Sequence, residues 1–259
     1  MIPGYKTDRK YIIAILYLCF MLLGAEINQA SSVTDNVALN IITKTENALR
    51  GDSSKMDLEM MIATPKWSRA VQCSIWSKGS DFSFIHIRYP KRNKGVKFLK
   101  RYNEMWQYIP KVERTIKIPP SMMMQSWMGS DFTNDDLVRE SSLITDYHAT
   151  LLATTDNYFK IQLIPLETAP VTWGKVVMHI HKIYYIPTYQ AFYDELGELV
   201  RIMEMTDIKK IGKKWYPMTW LITPQLEAKK GHYTRITIIE LKMDIPLDDT
   251  FFSLRQLNP

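Results

Sequence analysis

The pattern of apolar and polar positions changes once along the chain, from helical spacing to strand spacing. In the first part, apolar residues recur three and four positions apart, with Ser32 as a candidate N-cap before them and Gly51 after them. This spacing predicts an amphipathic helix of about five turns, whose apolar stripe packs on another element. The stripe consists of Val33, Val37, Ile41, Ile42, Ala48 and Leu49.

After the helix, short runs rich in aromatic and β-branched residues alternate with turn-like pairs such as Gly79-Ser80, Asp156-Asn157 and Lys230-Gly231. Such runs, about 8–12 residues apart, predict antiparallel strands joined by hairpins. We expect roughly a dozen strands in a meandering sheet or barrel. The runs are residues 55–63, 69–78, 81–89, 96–102, 105–109, 148–154, 158–164, 175–184, 190–194, 199–205, 215–222 and 233–242.

A methionine-dense segment, residues 119–142, interrupts the strand pattern. Thr133 followed by Asp136 predicts the start of a short helix over residues 135–140, with the acids serving as caps. Methionine is a soft, adaptable apolar side chain, so the segment is either ordinary core or the cover of an apolar site. Its apolar cluster is Met122, Met123, Met124, Trp127 and Met128. We therefore expect a mainly β (α+β) fold: one curved antiparallel sheet, with the N-terminal helix and a helical lid from this segment on its concave face.

The N-terminus has the pattern of a secretory signal peptide. A basic stretch ending at Lys10 precedes fourteen uncharged, apolar residues (11–24), a run that is short for a membrane span. We expect residues 1–30 to be a signal peptide that is cleaved on export to the periplasm, and residues 31–259 to form a single domain. An uncleaved membrane anchor is the alternative.

Composition and charge narrow the classes of partner. Only Cys73 of the two cysteines lies outside the expected signal peptide, so an exported form has no internal disulfide. The net charge of +6 favours anionic surfaces without indicating nucleic acid, which we do not expect as a partner. Lys91, Arg92 and Lys94 lie in one predicted turn, which is either a solvated hairpin or a contact with an anionic membrane surface.

The residues that could form a metal site or a catalytic site have simpler structural explanations. His179 and His181 point to one face of a strand, but no nearby acid or cysteine completes a metal site. Ser130 and Asp131 would suit a hydrolase, yet Ser130 lacks the Gly-x-Ser-x-Gly context that positions such a serine. We expect no metal, no cofactor and no catalytic residue.

Several stretches together resemble the outer-membrane lipoprotein-sorting protein superfamily (LolA/LolB-like), and most closely its stand-alone LolA-like branch of uncharacterised exported proteins. They are MWQYIPKVERTIKI (residues 105–118), MGSDF (residues 128–132) with Asp136 in the following DDL, and KKWYPMTW (residues 213–220). The MGSDF stretch contains Met128, Gly129, Ser130, Asp131 and Phe132.

The resemblance implies a half-open β-barrel whose hollow side is closed by helices and a loop, with an apolar cavity that holds acyl chains. It implies a carrier without enzymatic activity, with an inner-membrane export permease as a partner, and a barrel-wall arginine that controls opening, for which we take Arg114. The expected cargo is a lipoprotein or another lipid. An envelope sensor or transporter adaptor that binds a protein partner is the alternative, and a hydrolase is a third. We expect residues 122–128 to cover the cavity, and the strands to line it with Met60, Trp76, Phe84, Trp106 and Tyr108.

Overall fold

The structure is a computed structural model that describes residues 35–49, 51–138, 143–169 and 171–258. The predicted signal peptide, residues 1–30, lies outside the described residues. No helix within the described ranges has both the length and the apolar character needed to cross a membrane.

Helix α1 occupies residues 35–49, as the apolar spacing predicts, although Val37 of the predicted stripe is 43 % exposed. Ala38, Ile41, Ile42 and Thr45 are buried, at intervals of three and four residues. Lys44, between them, is exposed. The helix therefore packs one stripe against the sheet, which is the usual source of stability for a helix of this length.

Within the described ranges, the strands form a single antiparallel sheet of thirteen strands. Twelve of them coincide with predicted runs. β6 was not predicted because its four residues are all exposed, and they carry no apolar alternation. The strands are β1 (Ser53–Ala63), β2 (Ser68–Lys78), β3 (Phe82–Tyr89), β4 (Lys97–Arg101), β5 (Glu104–Ile109), β6 (Arg114–Lys117), β7 (Tyr147–Thr154), β8 (Tyr158–Pro165), β9 (Lys175–His181), β10 (Pro187–Tyr193), β11 (Leu199–Ile211), β12 (Lys214–Pro224) and β13 (Tyr233–Met243).

The sheet consists of two runs of consecutive hairpins joined in the middle. Its order is β6-β5-β4-β3-β2-β1-β13-β12-β11-β10-β9-β8-β7, so β1 pairs with the last strand, β13. The sheet curves into a half-open barrel whose edges, β6 and β7, do not meet, which confirms the predicted architecture. Because β6 and β7 are consecutive in the chain, the segment between them has to cross from one edge to the other.

That crossing segment contains the predicted lid. We call residues 119–138 the lid segment. It contains two 3-10 turns, Pro120–Met122 and Trp127–Gly129, and then helix α2 (Asn134–Val138). The end of the predicted helix, residues 139 and 140, lies outside the described residues.

The two faces of the sheet are covered by different elements. The inner face carries the large core, in which Met60, Ile87 and Met178 pack with α1 and the lid segment. The outer face of β2–β5 carries a smaller aromatic cluster, covered by the C-terminal residues. We call residues 247–257 the C-terminal strap. It contains a 3-10 turn (Asp249–Phe252) and helix α3 (Leu254–Leu257).

Candidate functional site

The five strand residues predicted to line one cavity lie on opposite faces of the sheet. Met60 faces inward, with less than 2 % of its surface exposed. Trp76 and Phe84 are cross-strand partners in the outer cluster, which also contains Trp106 and Tyr108. Successive side chains of a strand point to opposite faces, so the predicted lining is wrong for these four aromatic residues.

The lid methionines also point in different directions. Met123 is buried and Met128 packs against the inner core, whereas Met122 and Met124 are 40 % and 56 % exposed. Trp127 is buried and makes an edge-to-face contact with Phe98 of β4 at 5.7 Å between ring centroids. Met122 and Met124 are therefore largely exposed to solvent, and the prediction that they contribute to the cover of the cavity is wrong.

The MGSDF stretch forms a tight, hydrogen-bonded turn on the inner side. Met128 and Gly129 both have left-handed backbone angles, with φ of 53° and 72°. A Cβ atom on Gly129 would lie 2.5 Å from Nη2 of Arg69, whose guanidinium donates to the Met128 carbonyl oxygen. Glycine is favoured at this position because the left-handed backbone angle disfavours a side chain, and because a Cβ atom would displace the Arg69 guanidinium.

Ser130 has a structural role in this turn. Its hydroxyl donates to the Trp127 carbonyl oxygen at 2.7 Å and accepts from the Phe132 amide at 3.2 Å. An activated serine would instead donate to a histidine base. The contacts of Ser130 therefore favour turn closure over nucleophilic chemistry.

A buried ion pair holds the lid segment to the barrel wall. Both terminal nitrogens of the Arg201 side chain, on β11, donate to the two carboxylate oxygens of Asp136, at 2.8 and 2.7 Å. Nη1 of Arg201 also donates to the Asp131 carbonyl oxygen at 3.0 Å. We call the Arg201–Asp136 pair the latch. Bidentate pairs of this kind are among the strongest charge-assisted hydrogen bonds.

Asp136 also caps α2, which confirms that prediction. Its Oδ2 accepts from the Thr133 amide at 2.7 Å, and the Thr133 hydroxyl oxygen accepts from the Asp136 amide at 3.1 Å. This reciprocal arrangement is a capping box with aspartate in place of the usual glutamate. One carboxylate therefore starts the helix and ties it to β11.

The surroundings of Arg201 favour a fixed guanidinium. The residue is only 5 % exposed, and its guanidinium lies over the rings of Trp173 and Phe192, at 4.5 and 4.6 Å from their centroids. Arg114 instead lies on the exposed edge strand β6, so our prediction of Arg114 as the barrel-wall arginine is wrong. The sequence contains a signal for Arg201, since it shares strand parity with the inward-facing Met203 and Met205.

Two adjoining cavities lie between the inner face and its covers. One, of about 180 Å³, lies under α2 and the latch. The other, of about 310 Å³, lies beside α1. Leu143, Gln190 and Met203 line both, so the cavities share a wall. We call them the lid cavity and the helix cavity.

The linings of the cavities are mainly apolar. The lid segment contributes Phe132 to the lid cavity, together with Asp135 and Asp136, while its methionines line neither cavity. The apolar residues of the lid cavity are Phe132, Leu143, Tyr147, Val171, Trp173, Val176, Met178, Phe192 and Met203. Those of the helix cavity are Leu49, Leu143, Pro187, Met203, Met205, Tyr216, Pro217 and Trp220. A few polar groups in an apolar hollow are typical of small-molecule sites.

His179 and His181 make stacking and hydrogen-bonding contacts within the sheet and its turns. His179 stacks between Tyr158 and Tyr189 on the outer face, and burial, with a contribution from Lys160, lowers its pKa. Nδ1 of His181 accepts from the amide of Ile183 at 3.2 Å. Among the described residues, no group of three or more His, Cys, Asp or Glu side chains is placed to hold a metal ion.

The three basic residues Lys91, Arg92 and Lys94 are exposed in the turn between β3 and β4. This turn lies beside the lid segment, because Nδ2 of Asn93 is 4.0 Å from the Met128 sulfur. Burial, and then the nearby charge of Arg92, lower the pKa of Arg69.

Comparisons with known proteins agree with this geometry. A family model described as "Uncharacterized protein" matches residues 79–259, well over half of the chain. No curated protein matches the chain. A DUF1329 family protein from Desulfovibrio piger is similar in structure, with a TM-score of 0.78 and 20 % identity, over 87 % of this chain and 99 % of that one.

Two further solved structures are similar over nearly the same extent. One, from Vibrio parahaemolyticus, is described as an outer membrane lipoprotein-sorting protein domain (TM-score 0.76, 21 % identity, 86 % of this chain and 99 % of that one). The other is a LolA superfamily protein from Nitrosomonas europaea (TM-score 0.71, 21 % identity, 85 % and 98 %). At these identities the likeness shows a shared fold.

Proposed function

The chain belongs to the family of uncharacterized proteins whose model it matches, and from its LolA-like fold we propose that it is a periplasmic carrier of acyl chains. The cargo is a lipoprotein or another lipid whose chains occupy the lid and helix cavities while the cargo crosses the envelope. The observation that carries the proposal is the pair of adjoining apolar cavities, one beneath the lid segment and one beside α1, together with the buried ion pair that helps to hold the lid segment.

The binding free energy of such a carrier comes from burying the acyl chains of its cargo. Each methylene group transferred from water into an apolar hollow contributes about 0.8 kcal/mol, so a chain of ordinary length supplies several kcal/mol. The helix cavity alone has the volume of a small ligand pocket. Longer chains require the lid segment to move away from the inner face.

The latch opposes this movement of the lid segment, because the Arg201–Asp136 pair must separate first. Opening separates Asp136 from Arg201 and leaves both charges without their partner unless water or another group replaces it. Release therefore needs a partner that replaces these bonds. Loading needs a second partner, and an inner-membrane export permease fits that role. The similar domain from Vibrio parahaemolyticus, described as lipoprotein-sorting, supports this class of cargo.

The test is native mass spectrometry on protein prepared from its own envelope without detergent. We expect co-purified lipid, and we expect a fluorescent fatty-acid probe to bind to protein freed of it. Met205→Trp, which fills the helix cavity, lowers probe affinity at least about tenfold while stability stays within about 1 kcal/mol. Met61→Trp is the matched control, because Met61 lies on β1 between inward-facing Met60 and Ile62 and so points outward.

Lipid-free protein that also fails to bind the probe contradicts the proposal. Equal loss of probe binding in Met61→Trp and Met205→Trp would place the probe outside the cavities.

A further inference from the structure

Three neighbouring hairpin turns form a basic corner at the end of the barrel where the lid segment turns. They connect β1 to β2, β3 to β4 and β12 to β13, and these six strands are consecutive in the sheet. The turns are residues 64–67 (TPKW), 90–96 (PKRNKGV) and 225–232 (QLEAKKGH). We call these three turns the basic corner.

Contacts between the turns show that they form one surface. A Cβ atom on Gly231 would lie 3.0 Å from the ring of Pro65, so the first and third turns touch. The Arg69 guanidinium lies over the Trp67 ring at 5.4 Å and donates to the Met128 carbonyl oxygen. Asn93 of the second turn approaches the sulfur of Met128. The lid segment therefore lies directly behind the corner.

The charge of this surface is strongly one-sided. The three turns contain six lysine and arginine residues and one acidic residue, Glu227, which pairs with Lys230 at 3.2 Å. Within the described part of the chain, no salt bridge involves Lys66, Lys91, Arg92 or Lys94, and all four side chains are exposed. These four cations are therefore exposed to solvent without an ion-pair partner among the described residues.

Two large apolar side chains project from the same turns. Trp67 is 48 % exposed and Leu226 is 40 % exposed. The first turn is held rigidly, because the Thr64 hydroxyl oxygen accepts from the amides of Lys66 and Trp67 at 3.2 and 3.1 Å. Tryptophan at a basic rim is typical of proteins that sit at the interface of a bilayer, where the ring is amphipathic and the cations meet lipid phosphates.

We propose that the basic corner docks the protein on the surface of an anionic lipid bilayer. Trp67 and Leu226 enter the interfacial region, and the unpaired cations contact the phosphate groups of the lipids. The docking does not depend on what the cavities hold, so a failure of either proposal leaves the other intact. It would place the turning point of the lid segment against the membrane.

The opposite end of the barrel offers a matched control. The hairpin formed by β11 and β12 has three exposed lysines near its tip, with Lys209 and Lys210 at the end of β11 and Lys213 in the turn, and Lys209 pairs with Asp207 at 3.0 Å. Ile183, in another turn at that end, is 74 % exposed. The control end therefore offers three exposed lysines, as many as are substituted in the corner, beside one exposed apolar side chain.

The experiment measures binding of the full chain to vesicles of phosphatidylcholine, with and without one third phosphatidylglycerol, by flotation. Residues 1–34 are identical in all variants, so a difference in vesicle binding between variants comes from the substituted residues and not from the N-terminal segment. We expect the preference for phosphatidylglycerol to fall at least about tenfold in the triple variant Lys91→Glu/Arg92→Glu/Lys94→Glu, and severalfold in Trp67→Ser. Raising the salt concentration lowers binding of the parent chain, because surface charges are screened.

The control Lys209→Glu/Lys210→Glu/Lys213→Glu changes net charge equally and should retain the preference within about twofold. Equal loss in the two triple variants would show attraction by net charge alone and overturn the docking site. Absence of any preference for phosphatidylglycerol in the parent chain would overturn it as well.

Discussion

The inner face beneath the lid segment and the outer face beneath the C-terminal strap are both apolar, yet they are packed in different ways. On the outer face Trp76, Phe84, Phe251 and Phe252 form ring contacts at 5.2 to 6.0 Å between centroids. On the inner face two cavities remain, and a charged latch closes one of them. Aromatic side chains alone therefore do not identify a binding site: the rings of the outer cluster pack closely against one another, whereas the inner face, with the latch, has space.

The two covers also differ in how they are attached. The strap inserts Phe252 and Leu257, which are almost completely buried, and the Nζ of Lys97 donates to the Leu257 carbonyl oxygen at 3.0 Å. The lid segment also buries apolar side chains, Trp127 and Phe132 among them, but it is held in addition by polar bonds from Arg69, Arg201 and Thr234. Polar attachment can be exchanged for water or for a partner, whereas removal of the strap would expose its rings.

The largest expected effect comes from the strap. Phe252→Ala removes a buried ring from a close-packed cluster, and should lower the free energy of unfolding by about 3–5 kcal/mol. Urea unfolding measures the loss. Leu254→Ala, at a 42 % exposed position of α3, is the control and should change stability by less than about 0.5 kcal/mol. Probe affinity of the folded Phe252→Ala protein should be unchanged, and a reduced affinity would contradict the separation of the two faces.

A smaller effect is expected at the latch. Asp136→Asn keeps the shape and a capping oxygen but leaves the buried Arg201 without its charge partner, so stability should fall by about 2–3 kcal/mol. Release of a bound fatty-acid probe, followed by stopped-flow fluorescence, should become faster. Glu227→Gln removes one partner of an exposed pair and should cost at most about 0.5 kcal/mol, with no change in release. Equal release rates in both variants would mean that the latch does not control opening.

The smallest effect concerns the inner core at high pH. Burial, and then the charge of Asp57, raise the pKa of the Cys73 thiol from the ordinary 9.0 to about 12. Below pH 9 the thiol is neutral in both states and its contribution is fully present. As the pH rises from 9 towards 12, the unfolded chain loses this proton first, so stability is lost.

Comparing the parent chain with Cys73→Ala isolates the contribution of the thiol to the pH dependence of stability. At pH 10 the parent chain should have lost about 1.4 kcal/mol relative to its own value at pH 8, beyond the change seen in Cys73→Ala. Urea unfolding at both pH values measures the difference. Parallel pH profiles in the two proteins would mean that the thiol is accessible to water in the folded state.

Local patterns predicted most of the fold and part of the candidate site. Helical spacing placed α1, strand spacing placed twelve of the thirteen strands, and Thr133 with Asp136 marked the start of α2. The resemblance of the MGSDF stretch to LolA-like proteins led to the half-open barrel, which the sheet order confirms. These predictions succeeded because a residue's spacing and its turn chemistry act over a few positions of the chain.

Local patterns therefore specify α1, twelve of the strands and the alternation that divides each strand into two faces. Which of the two faces lies inward depends on contacts between segments that are far apart in the chain. Trp76 and Phe84 belong to one alternating set and Met60 to the other, and nothing local indicates that the strap covers the first set. Arg201 likewise becomes a latch only because β11 and the lid segment, 65 positions apart, meet across the hollow. Such pairings depend on how the sheet curves and which segment crosses it, and these are properties of the whole chain.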